Sequence, residues 1–409
     1  PVVPQFPYFG SAPPIFFGEG FPPIEVNFRP EILGISYFVN LDVLAGFWIF
    51  YMIGIIQVGI ANRIGYVIPG ADNYTSINPM LDWQNMGAFL MFVAWGLWRA
   101  RQHVADVLGK AFGTRPDVSD ADEMLPYKVA VFGFLAGFIY SVVWLNQLGM
   151  SIPIACLLIA GVFAIYIGVS RIVAEAGLPF VRAPMTSQVL VYYSIGSVNM
   201  SLPTMTAIAQ TYGPLSEIKS TFTPAFVQAG KLAEVFRSWH RGLGWSIMAA
   251  AVVGVVISLV YTIYLGFDVG TRQFTNGWWF GRVGSTIPYN ETMVKIRNPF
   301  GPDPERLTFF VIGSALMFMF MTLRSKLPWW PVHPLGFMLS YSWPARAIVC
   351  SMFIVWVIKS VMMWVGGSEL YRKGQPFFLG LIIGEYFMAA VWQILALKTG
   401  VGYWGGPPS

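Results

Sequence analysis

Long apolar runs separated by polar links organise this chain, and most runs approach the ~20 residues that carry a helix across a bilayer. A first run covers residues 41–60, with Asn40 and Asp42 at its mouth. A second extends from Trp83 to Trp98 and continues as an amphipathic helix bearing Arg99, Arg101, His103 and Lys110. An acidic link with Asp117, Asp120, Asp122 and Glu123 leads to runs at 129–148 and 154–173, joined by a tight hairpin at Gly149–Pro153. Further runs lie at 245–265 and 307–323, then an aromatic–proline segment at 327–344, then Ala345–Gly366 and Pro376–Leu397. This pattern predicts an all-α fold, a polytopic transmembrane helical bundle of about eight spans plus broken or re-entrant segments.

Four stretches depart from the simple pattern. Residues 1–40 form a Pro/Phe-rich strap; its prolines exclude a long helix, while Phe6, Tyr8, Phe9, Phe16, Phe17, Phe21 and Phe28 are too apolar to stand in water. Thr186–Tyr212 mixes apolar residues with Ser187, Gln188, Ser194, Ser197, Asn199, Ser201 and Thr204, and Gly196 and Pro203 predict an interruption there. An amphipathic helix with Lys231, Glu234 and Arg237 is expected near 225–239, and residues 268–306 read as a long polar loop. The expected organisation is therefore a strap, 1–40, followed by a helical membrane domain, 41–409.

Composition agrees with a lipid environment: 56% of residues are hydrophobic, 11% are charged and the mean hydropathy is +0.59. The net charge of +5 is then a matter of membrane topology rather than of nucleic acid. The densest basic cluster near a span is Arg99, Arg101, Lys110, Arg115 and Lys128. The positive-inside rule places it in the cytoplasm and puts the strap, the Asn73 loop and 268–306 outside. Proteolysis from outside is expected to spare the strap, with Trp278, Trp279 and Phe280 as its platform. Two cysteines, Cys156 and Cys350, and three scattered histidines offer neither a disulfide framework nor a metal-ligand spacing. No motif names a cofactor, and the absence of a nucleophile elbow, a phosphate-binding glycine loop, HExxH or CxxC speaks against an enzyme. The expected partners are the bilayer itself and other membrane subunits or further copies of the chain.

Ionic groups inside apolar runs carry the chemistry, because such charges face a partner or a wet cavity. Arg171 and Glu175 share a helix face ahead of a predicted stop at Gly177–Pro179. They read either as an interfacial salt bridge or as part of a discontinuous-helix ion or substrate site. Lys359 and Glu385 fall at similar distances from the link between the last two runs, which predicts an ion pair serving as a static lock or a coupling pair. Asn199 and Ser201 are candidates for a polar pathway. His333, in PWWPVHPLG, and Asp42 are candidates for gating, against the alternatives of a hydrogen-bonded structural histidine and a helix cap.

Five strings in one order, IEVNFRPEILGISYFVNLDVL at Ile24–Leu44, LWRARQHV at Leu97–Val104, RIVAEAGLP at Arg171–Pro179, LPWWPVHPLGF at Leu327–Phe337 and YRKGQPFFLGLIIGEY at Tyr371–Tyr386, resemble the large bacterial membrane proteins grouped as the DUF6785/DUF6784 family. The resemblance covers nearly the whole chain. It implies a multi-pass protein of a bacterial inner membrane and further spans upstream of Pro1, and it assigns no catalytic roles. The multi-span layout with Gly/Pro-broken segments is also similar to oligopeptide-transporter-type permeases. The expected function is secondary transport of a small polar solute; the alternative is a structural or scaffolding subunit of a larger membrane assembly.

Overall fold

The structure, a computed structural model, describes residues 11–70, 72–75, 78–178, 181–215, 222–236, 240–270, 286–327 and 329–399. A short antiparallel hairpin, β1 (Ser11–Ile15) and β2 (Ile24–Asn27), opens it. Helices follow: α1 (Pro30–Phe38), α2 (Leu41–Arg63), α3 (Pro79–Arg99), α4 (Arg101–Phe112), α5 (Tyr127–Gln147) and α6 (Ile152–Ala176). Then come α7 (Ser187–Ile195), α8 (Leu202–Leu215), α9 (Phe222–Phe236), α10 (His240–Leu265), α11 (Ile287–Arg297), α12 (Pro304–Lys326), α13 (Leu335–Leu339) and α14 (Trp343–Thr399). The all-α architecture predicted from the run pattern is what folds. Among the described residues, six helices are long and apolar enough to cross a membrane: α2, α5, α6, α10, α12 and the long α14.

Helix α3 is as long as a span, yet it falls outside those six because Asp82, Gln84 and Asn85 crowd its first turns. It is the spine of the molecule. Trp83, Met86, Phe89 and Phe92 are wholly buried, and the polar trio is buried with them. α12 crosses α3 at backbone contact: a Cβ on Gly87 would fall 1.9 Å from the Phe310 carbonyl oxygen, and one on Gly313 would fall 1.8 Å from that of Gln84. Small residues at a helix crossing admit this approach, and the Ser314 hydroxyl ties it by donating to the Gly87 carbonyl at 3.0 Å.

The strap does not lie along one surface. Phe21 packs on Gly59 and under Arg63, 4.7 Å from the guanidinium to the ring centroid, at the Arg63 end of α2. Glu25 then pairs with Arg346 at 2.8 Å, and Ser351 bonds the Asn27 carbonyl at 2.9 Å. α1 finally delivers the chain to the Asn40 end of α2. Strap and α1 together traverse the length of α2, so Asn40 and Asn73, at opposite ends of one span, cannot share a side as the charge reading had it. The strap's partners are α2 and α14; the expected platform of Trp278, Trp279 and Phe280 lies outside the described residues.

The interruptions fall where glycine and proline place them. α6 stops at Ala176, and Gly177, at φ 66°, closes it by donating its N–H to Val173. Thr186–Tyr212 is broken after Ile195 by Gly196, at φ 82°, whose missing Cβ leaves room for the Gly301 backbone. A single 3₁₀ turn at Ser197–Asn199 reverses the chain into α8. Ser187 bonds the Leu158 carbonyl part-way along α6, whereas Thr204 reaches Gly149 at the hairpin end. α7 and α8 thus form a re-entrant pair whose turn sits at the Arg63 end. In α14, Gly367 is non-helical and folds the element back on itself. The supposed loop 268–306 contains α11, a helix the sequence reading missed.

Candidate functional site

The most concentrated buried chemistry lies at the Arg63 end, over the re-entrant pair. Asp72 sits in a turn in which its own Oδ1 accepts from the Tyr74 N–H at 2.9 Å, and its carbonyl accepts from the Thr75 hydroxyl at 2.8 Å. That turn aims Oδ2 at α11. From α11, Lys295 donates to Asp72 Oδ2 at 2.7 Å and to Glu291 Oε2, one helical turn earlier, at 3.0 Å. Glu291 also accepts from the backbone and side chain of Asn73. The side chains of Lys295, Asp72 and Glu291 are 4%, 1% and 13% exposed, so the three charges meet out of water.

Tyrosines wall the centre. The Lys295 ammonium stands 5.2 Å from the Tyr192 ring centroid and 5.8 Å from that of Tyr193, both on α7. The Tyr192 hydroxyl bonds Thr292 on α11 and the Met205 carbonyl on α8, each at 3.2 Å. The Tyr74 and Tyr212 rings meet near by at a tilt of 33°, with centroids 4.0 Å apart. Arg306 completes the rim by donating to the carbonyls of Pro69 and Gly70, pairing with Asp303 and lying 4.2 Å from the centroid of the Tyr193 ring. Burial alone would push the Lys295 ammonium down, but Asp72 and Glu291 outweigh it and hold the group above the ordinary lysine range. Lys295 is therefore a fixed cation in a low-dielectric pocket, and removing one of its partners leaves an uncompensated buried charge, a loss of about 3–5 kcal/mol.

The residues singled out from sequence divide among three places. Arg171, Glu175, Asp42 and His333 gather at the opposite, Asn40 end. Arg171 Nε pairs with Glu175 at 2.6 Å, its Nη1 donates to the Phe92 carbonyl at 2.8 Å and its guanidinium covers the Phe92 ring at 4.0 Å. Asp42 pairs with Arg324 at 2.7 Å and caps only its neighbour Val43, so it is an ion-pair partner rather than the helix cap. His333 donates its backbone N–H to the Asp42 carbonyl and accepts from Leu335 on Nδ1. Burial, with Arg324 and Arg171 outweighing Asp42, pushes the imidazole down to about 4.

At the Arg63 end, Asn199 donates to the Ile195 carbonyl, and Ser201 bonds both the hydroxyl and the N–H of Thr204. These two side chains cap the break between α7 and α8. Lys359 and Glu385 do not pair. Lys359 Nζ donates to the carbonyls of Tyr37 at 2.9 Å and Val39 at 2.7 Å, closing the C-terminus of α1, while Glu385 is exposed beyond Ile382, which packs on Gly34. The turn in α14 is the reason. Counted from Gly367, Lys359 lies eight residues away and Glu385 eighteen, a depth mismatch of about 15 Å.

Sequence reasoning missed Asp72, Glu291 and Lys295, and also the buried trio of α3. Glu291 and Lys295 at i,i+4 spacing were visible in the sequence but lay in a stretch read as loop. Asp82 stands immediately ahead of the apolar run that begins at Trp83 and so reads as part of the polar link. Two further polar pairs join neighbouring helices: Gln57 donates to Gln84 at 2.8 Å, and Gln188 to Thr211 at 3.0 Å. At the Asn40 end, a cleft of about 590 Å³ opens between α6, α9 and the acidic link, lined by Asp122, Glu123, Val173, Gly177, Gln228 and Lys231. No group of three or more candidate metal ligands exists among the described residues.

No curated protein and no solved structure matches this chain. A family model does, over residues 1–404, and the chain accordingly belongs to the family described as "Family of unknown function (DUF6785)".

Proposed function

We propose that this protein is a secondary transporter of a small polar solute in a bacterial inner membrane, with the re-entrant pair α7–α8 as its central element. The observation that carries this reading is the pair itself. Non-helical backbone at membrane depth is tolerated where it is enclosed by protein or lines a watery route, and discontinuous helices are the usual walls of transport sites. Gln188 and Thr211 face each other across the pair, buried, with Thr186 and Ser187 beside them. In this state the Lys295 centre seals the Arg63 end, and the cleft beside α6 stands at the other. A carrier that opens one end at a time needs a seal on one side and a vestibule on the other.

Reconstitution tests the proposal. Purified protein in proteoliposomes, offered amines, amino acids, sugars and small organic acids under an imposed proton or sodium gradient, is expected to accumulate one of these classes. Gln188→Leu is expected to lower that uptake at least tenfold while leaving the protein folded. Folded, correctly inserted protein that moves none of the four classes would refute transport.

One observation favours the second reading, a subunit of a larger assembly: in the most apolar stretches of α5 and α10 only 6% of the residues are buried within the chain. Gentle extraction from native membranes distinguishes the two, because a subunit brings a stoichiometric partner and a carrier brings lipid or its own copies.

A further inference from the structure

Asp72 is held by its own turn, and Tyr192 and Tyr193 are carried on α7 rather than α11, although the Tyr192 hydroxyl also bonds Thr292 of α11. Together they make a carboxylate and two aromatic faces converging on one buried point. That combination recognises an ammonium group, since the carboxylate takes the N–H donors and charge while the ring faces take the remaining cationic surface. The ammonium now at that point belongs to Lys295, brought from outside by α11. Lys295 uses one donor on Asp72 and one on Glu291, which travels on the same helix. Lifting α11 therefore withdraws the lysine and the second carboxylate together. It leaves behind a buried anionic pocket with an aromatic wall, a state that demands a cation.

Resting on the transport reading above, we propose that Asp72, Tyr192 and Tyr193 form an ammonium-binding site of which Lys295 is a tethered occupant, and that the solute is a primary or methylated amine that takes this place when α11 lifts. The tether keeps wild-type protein closed. A group held on the same chain acts at an effective concentration of order millimolar or above, so a dilute free amine competes poorly until the helix moves. Solute binding and opening of the Arg63 end are then one event, because the amine supplies the charge that the departing lysine removes.

The test uses the full chain in detergent, with butylammonium as probe and butyrate and sodium as controls. Lys295→Ala vacates the pocket, and butylammonium at saturation is expected to raise its melting temperature by about 3 °C or more. Wild type should shift by less than a third of that, and neither butyrate nor sodium should reproduce the effect. Asp72→Asn in the Lys295→Ala background is expected to abolish the response. Glu291→Gln, which keeps the lysine but loosens its hold, is the second variant and should respond more than wild type. Absence of a butylammonium shift in both Lys295→Ala and Glu291→Gln overturns the site, as does an equal shift without Asp72. Binding without uptake of any solute in proteoliposomes overturns the transport reading and leaves the ammonium site standing. Uptake of another solute class with no ammonium response does the reverse.

Discussion

A lysine at hydrocarbon depth needs a partner, and for Lys359 the partner is backbone. Its ammonium satisfies the carbonyls of Tyr37 and Val39, which the end of α1 leaves without helical donors. Lys359→Met should therefore cost about 1–3 kcal/mol, the penalty of leaving buried acceptors unsatisfied. Glu385→Gln, on an exposed side chain, should stay within about 0.5 kcal/mol; denaturant titration in detergent reads both. Equal losses would restore the discarded ion pair. His333 makes a different prediction, in pH. Its folded value near 4 lies below the ordinary histidine value of 6.5, so between those limits the unfolded chain binds more protons than the folded one. Stability should accordingly fall as pH drops from about 6.5 towards 4, and His333→Gln should flatten that slope. The identity of the buried ionic residues was legible wherever they interrupted an apolar run. Their partners were not, because the turn at Gly367 sets their depth, and Lys295 and Asp72 stand 223 positions apart in the chain.

Elements were legible to the extent that local signals decide them. Gly177, Gly196 and the apolar runs act within a few residues, and each break fell where those residues put it. α11 escaped because its sequence, IPYNETMVKIR, has no apolar stripe to betray it; burial against α8 and the Asp72 turn, not periodicity, holds it in place. The standing of α3 was concealed for the opposite reason. Its polar residues are surrounded by protein rather than lipid, so a hydropathy criterion discounts the helix that the others enclose. Its crossing with α12 gives the sharpest test at this scale. Gly87→Val and Gly313→Val each force the backbones apart, where a Cβ already falls under 2 Å from a carbonyl oxygen. Overpacking of a close-packed contact costs about 1–3 kcal/mol or more. Either substitution is expected to lower the melting temperature by several degrees, whereas Gly254→Val, with nothing within 4 Å, should leave it nearly unchanged. A Gly87→Val protein as stable as Gly254→Val would remove the crossing from the fold.

At the scale of the whole molecule, the two ends carry opposite chemistry. The Asn40 end has the ion pairs Arg171–Glu175 and Asp42–Arg324, with His333 on the Asp42 backbone, near an open cleft; at the Arg63 end Lys295 lies buried between two carboxylates beside a tyrosine wall. What joins them is a strap and a short helix that cross alongside α2, so the chain reaches Asn40 from the far side before its first long helix begins. The run pattern could not show this crossing, because its strand and nine-residue α1 are each shorter than a span. The crossing fixes which links share a side. With Cys156 and Cys350 replaced by serine, single cysteines at Glu19 and Asn73 should react with an impermeant maleimide from one face of the membrane. Cysteines at Lys110 and Lys326 should react from the other face. Labelling of Glu19 from the same side as Lys110 would place the strap entirely at the Asn40 end and undo the crossing. Labelling of Asn73 and Lys110 together would undo the span α3, and with it the separation of the Lys295 end from the cleft on which the proposed transport cycle depends.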